Sequence, residues 1–145
     1  MPKQPQPDYS KTKKTLETPL SHTTENQPAT NTQLLKEHIT IAVDLIAAAK
    51  TGDQKKFAEA DAKWTTNANQ IAAFLSKANP NWPEKDVTDL LSLHLKITKE
   101  EVVARLNKNW DEDIKKFDEI FTEIMVLADA LSEGIVKQFP DKFKS

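Results

Sequence analysis

Two histidines have the most chemical reach in this chain. His38 ends Leu34-Leu35-Lys36-Glu37-His38 and His94 ends Leu90-Leu91-Ser92-Leu93-His94, so Leu-Leu-x-x-His occurs twice, 56 positions apart (38 to 94). Both lie on apolar faces of helical patterns that turn by about 100° per residue. Two imidazoles carried to one centre could ligate a metal or haem, or form a layer that titrates near neutral pH. The same placement suits two core residues that each satisfy one hydrogen bond. Spacing argues for packing. A carboxylate-bridged di-iron centre needs Glu-x-x-His on two helices, and here Leu35 and Leu91 stand three residues before the histidines. Glu37 adjoins His38 and therefore points about 100° away from it. No His-x-x-x-His occurs, and the remaining histidine, His22, lies in a tail of different composition. The expectation is that His38 and His94 pack, with no resident metal or cofactor. Replacing either by Leu is then expected to be neutral or stabilising.

Other polar residues offer less. Asp61 falls on the inner stripe of the second helical pattern, either as a buried acid, as one end of an ion pair with Arg105 or a lysine, or turned to solvent. Asn67, Asn69 and Asp129 stand about 100° off their apolar stripes and read as helix-surface residues. Gly52 and Gly134 are the two glycines, so no glycine-rich phosphate loop or glycine-flanked serine nucleophile exists. The absence of cysteine removes disulfides, thiolate ligands and a thiol nucleophile. The chain reads as a non-enzyme.

The elements that would position these residues are helices. Of 145 residues 38% are hydrophobic and 29% charged, which suits one helical domain. Residues 1–31 hold five of the eight prolines (Pro2, Pro5, Pro7, Pro19, Pro28), with Tyr9, Leu16 and Leu20 as their large apolar side chains. Such a segment buries too little to offset its ordering entropy and reads as a disordered tail. It lacks the apolar centre of a secretory signal, and no long apolar run follows, so neither export nor a membrane span is expected and the location is read as cytoplasmic. A formal charge of −2 supplies no footprint for nucleic acid.

Helix one is expected over about 32–50, with Gly52 as its stop. Asp53 caps helix two, which ends at Asn79-Pro80, and Pro83 fits the first turn of helix three. A capping box at Thr98-x-x-Glu101 allows a break in helix three, but one continuous helix with Glu101 and Arg105 as an i, i+4 pair is preferred. Helix four begins after Asn109 and carries Trp110, Ile114, Phe117, Phe121, Ile124, Ala128, Leu131 and Ile135 at alternating steps of four and three. That heptad seam predicts a helix packed along its length with Phe121 and Ile124 at the core centre, where Phe121→Ala would cost about 3–5 kcal/mol. The halves also echo beyond the histidines: Lys55-Lys56-Phe57 returns as Lys115-Lys116-Phe117 and Asn67 to Ile71 as Leu127 to Leu131, which implies a slip of four residues near the turn. The reading is all-α: an up-down-up-down four-helix bundle (32–145) of two repeated hairpins behind a disordered tail (1–31).

The motifs Leu-Leu-x-x-His-Ile at 34, Ala-Lys-x-Gly-Asp at 49, Ala-Asn-Pro-Asn-Trp-Pro at 78, Glu-Val-Val-Ala-Arg-Leu-Asn at 101 and Leu-Ser-x-Gly-Ile-Val-x-Gln-Phe-Pro-Asp at 131 cover about three quarters of the chain. In them the chain resembles an uncharacterised family of small all-helical microbial proteins. The resemblance implies no activity and no site. It does imply that fuller members carry a further hairpin opening with a similar Leu-x-x-x-His, where this chain has its Pro-rich tail. The missing cover, together with a displaced stripe of Leu95, Val102 and Leu106 on helix three, points to a surface for an unknown protein partner or for weak self-association. The favoured function is thus a non-catalytic interaction or structural module. The alternative is a bundle that binds a metal, haem or small ligand at His38 and His94.

Overall fold

A computed structural model describes residues 30–144, so the tail expected over 1–31 lies almost wholly outside the described residues. Four helices form an up-down-up-down bundle: α1 (Asn31–Thr51), α2 (Gln54–Ala78), α3 (Glu84–Leu106) and α4 (Trp110–Gln138), followed by a short 3-10 turn (Pro140–Lys142). No described helix is long and apolar enough to cross a membrane.

The turns within the two hairpins have the same construction. After α1, Gly52 takes φ +72°, its N–H reaches Ala49 O, and Asp53 N–H reaches Ala48 O; after α3, Lys108 takes φ +57°, with Lys108 N–H to Arg105 O and Asn109 N–H to Ala104 O. Both are Schellman ends, in which a left-handed residue lets two N–H groups close the last turn. Asp53 then caps α2 by accepting from Lys56 N–H, and Asn109 caps α4 by accepting from Glu112 N–H. Every one of these features recurs 56 positions on (52 to 108, 53 to 109). The expected slip of four is therefore corrected: Lys115-Lys116-Phe117 resembles Lys55-Lys56-Phe57 in letters but sits one helical turn away from the equivalent place.

Helix α3 runs unbroken through Thr98, whose hydroxyl donates back to His94 O at 2.8 Å instead of starting a new helix. Pro83 stands at its N-cap with φ −56°. Arg105 does not pair with Glu101 as expected; it turns to α4, where Nε and Nη2 meet the two carboxylate oxygens of buried Asp113 at 3.1 and 3.0 Å. A planar guanidinium gains a two-point contact there that the side-by-side helix pair lacks.

The bundle is open on one side. Helix α3 lies against α1, α2 and α4, whereas α1 and α4 do not touch. The buried apolar core includes Leu34, Leu45, Trp64, Ala68, Ile71, Ala72, Val87, Leu91, Leu95 and Ile97, and all of its members come from α1 to α3. Helix α4 faces it with Asp113, Glu123 and Gly134, and sends its heptad seam outward: Phe121 is 61% exposed and Ile114 62%. The expected core centre at Phe121 and Ile124 is thus corrected. The seam needs an apolar partner, and none is present among the described residues. Phe121→Ala should accordingly change unfolding free energy by less than about 1 kcal/mol, far below a cavity-forming truncation. Chemical denaturation of the two proteins checks this, and a loss of several kcal/mol would place the ring inside.

The connector between the hairpins fastens α4 where α1 does not. Fully buried Asn79 donates from Nδ2 to Gly134 O (2.9 Å), Trp82 Nε1 donates to Leu131 O (3.2 Å), and Gln138 Nε2 donates to Ala78 O (3.1 Å).

Candidate functional site

The open bundle holds a polar layer within its core. His38 on α1 and His94 on α3 lie with ring centroids 6.4 Å apart and planes tilted by 29°. His38 Nδ1–H donates to Asn67 Oδ1 at 2.8 Å, and Asn67 Nδ2 donates to Leu34 O at 3.0 Å. His94 Nδ1–H donates to Glu123 Oε2 at 2.9 Å. Trp64 stands 5.2 Å from the His38 ring.

Asn67, expected at the surface, is 2% exposed and belongs to this layer, and Glu123 was missed altogether. A signal existed: a polar residue capable of accepting from imidazole follows each histidine at the same separation of 29. The heptad seam hid it, because the seam's phase puts Glu123 on what looks like the outer face of α4. Asn69 and Asp129 are exposed as expected. Asp61 takes the ion-pair option, with Lys99 Nζ at 2.7 Å from Oδ1.

Both Nδ1 atoms are committed, which fixes ring orientation and leaves each Nε2 as the uncommitted nitrogen. Trp64 Nε1 and Glu123 Oε1 are buried without a hydrogen-bond partner among the described residues. Among those residues, no three His, Cys, Asp or Glu side chains converge in a way that could hold a metal ion. An open cleft of about 650 Å³ lies apart from the histidines, lined by Phe57, Asp61, Lys99, Glu100, Val103 and Lys116. Its charges answer one another: Lys116 Nζ meets Glu119 and Glu100 at 2.8 and 2.9 Å, which hold the ammonium protonated well beyond the ordinary lysine range.

The layer has a pH signature. Burial pushes the His38 imidazole below its usual 6.5, the Asn67 hydrogen bond opposes that shift, and the charge of a protonated His94 adds to it. Between 6.5 and the lower folded value the unfolded chain binds more protons at His38 than the folded one, so stability falls as pH falls through that window. Unfolding free energy measured from pH 8 to 5 should drop more steeply below about 6.5 in the parent than in His38→Gln. Equal slopes would remove His38 as the titrating group.

The displaced stripe on α3 is split. Leu95 is buried, Val102 is half-buried and only Leu106 of the three is exposed, so Leu95 drops out as an interaction residue. Helix α3, in the middle of the open array, still exposes Leu93, Val103 and Leu106, but the most exposed apolar side chains stand on the outer helices, with Ile39 at 66% on α1 and Ile114 at 62% on α4.

No family model matches the chain, and no curated protein or solved structure does either.

Proposed function

We propose that this chain is a non-catalytic helical module that works by binding protein through the outer face of α4. One observation carries the reading: Trp110, Ile114, Phe117, Phe121 and Ile124 form a continuous apolar stripe on the solvent side of a helix whose other face is already packed. Apolar patches of that kind on soluble proteins mark interaction sites, since their exposure to water costs free energy that a partner recovers. A net charge of −2 offers a phosphate backbone no attraction, which favours protein as the partner.

A photo-crosslinking residue at position 121 in the native cell tests the reading against one at Lys63 on the exposed polar side of α2. A discrete protein adduct from 121 alone supports it. Equal labelling at both positions, or none at 121, overturns it.

The rival use, ligand binding at His38 and His94, rests on the 6.4 Å approach of the two rings. Absorbance and metal analysis of untagged protein address it. Stoichiometric metal or haem that disappears in a single histidine variant would move the function to that pair.

A further inference from the structure

We infer that the partner of the α4 stripe is a second copy of this chain, whose α1 lies across α3 and α4 in the way that α3 lies across α1 and α2. The inference rests on the interaction reading above and adds the occupant and its orientation.

A constant spacing of 56 relates the turns, the caps and the His–acceptor pairs of the two hairpins. That spacing maps each residue of one hairpin onto its counterpart in the other, and the counterparts differ in one consistent way. On α3, Leu91 and Leu95 stand about two turns and one turn before Lys99, which pairs with Asp61 on α2, and are 7% and 3% exposed; on α1 their counterparts Leu35 and Ile39 are exposed, Ile39 to 66%. On α2, Ala68 and Ala72 share the face of Asp61, which pairs with α3, and are 2% and 0% exposed; on α4 their counterparts Ile124 and Ala128 are exposed. The junction that joins the hairpins therefore exists once inside the chain, and its two separated halves stand open at the two ends.

The chemistry of the open halves matches. Inside the chain the junction contains the ion pair Lys99–Asp61. At the ends the same two places hold Val43 on α1 and Phe117 on α4, both exposed. A charge pair within the chain is thus replaced by an apolar pair between copies, and each half alone would leave water against apolar surface. Such an interface joins unlike surfaces, so it adds subunits head to tail instead of closing as a two-fold dimer. The copies would also set His94 of one chain beside His38 of the next, continuing the stack seen at 6.4 Å.

Sedimentation of the full chain over a range of concentrations, with single-face variants, tests the orientation. Phe117→Asp and Val43→Asp change exposed positions, and circular dichroism checks that both stay helical; Ile124→Asp and Ile39→Asp serve as second variants of the same faces. The parent chain should form species that grow beyond dimer with concentration. Each variant alone should associate about a hundredfold more weakly, as when an uncompensated charge enters an interface. A mixture of Phe117→Asp with Val43→Asp should form a one-to-one dimer and stop there, because only one intact α1 face and one intact α4 face remain. If Val43→Asp self-associates like the parent, or the mixture shows no dimer, the head-to-tail arrangement is wrong. A parent that is monomeric throughout overturns the second-copy assignment; should position 121 still crosslink to a different protein in the cell, the interaction reading stands without it.

Discussion

His94→Leu is expected to destabilise the protein by about 3–5 kcal/mol, because it strands a carboxyl group in the core. Glu123 has a side chain only 3% exposed, and its Oε2 accepts from His94 Nδ1 at 2.9 Å while Oε1 has no partner among the described residues. The sequence alone suggested the opposite outcome, since an apolar residue of similar size normally replaces a buried histidine at little cost. That expectation counted one polar group where the structure has two: removing the donor leaves the Glu123 acceptor buried. The double variant His94→Leu with Glu123→Leu removes both and should recover most of the loss. Denaturant unfolding of the two singles and the double measures the coupling. A single-variant loss below about 1 kcal/mol would mean that Glu123 finds water or another donor.

Gly134→Ala should also destabilise, although Ala is the better helix former. A Cβ at 134 would stand 2.8 Å from Trp82 Cε2 and closer still to Nε1 and Cδ1 of the same ring. Trp82 cannot retreat cheaply: Pro80 and Pro83 stiffen its segment, and Nε1 donates to Leu131 O at 3.2 Å. Overpacking and the strained hydrogen bond together cost about 2–4 kcal/mol, and helix propensity returns about 1 kcal/mol, so the net loss is about 1–3 kcal/mol. The sign reverses where the ring is absent. In a Trp82→Ala background, Gly134→Ala should stabilise by about 1 kcal/mol. If the substitution is stabilising in both backgrounds, the indole does not lie on the helix.

Local information was sufficient wherever the decisive interaction was local. The helix ends could be read because Gly52, Asp53, Asn79 and Asn109 act on backbone groups within five residues of themselves, and each end falls within about a residue of where those signals put it. The pairing of His38 with His94 was legible because one motif occurs twice and similar hairpins bring similar positions to similar heights. The direction of α4 was not. A heptad seam states that a helix has an apolar side, and it is silent on whether that side meets the same chain or something else. Only the packing shows that α4 meets α3 through Asp113 and Glu123 and the connector through Gly134, while Phe121 looks outward. Likewise, Asn67 and Glu123 acquire their roles from residues 29 positions away, a distance at which a polar side chain beside an apolar stripe looks no different from one in water. Periodicity reports what each helix offers to its neighbours. Which neighbour takes it depends on how the hairpins stack, and that is set by long-range contacts the periodicity does not contain.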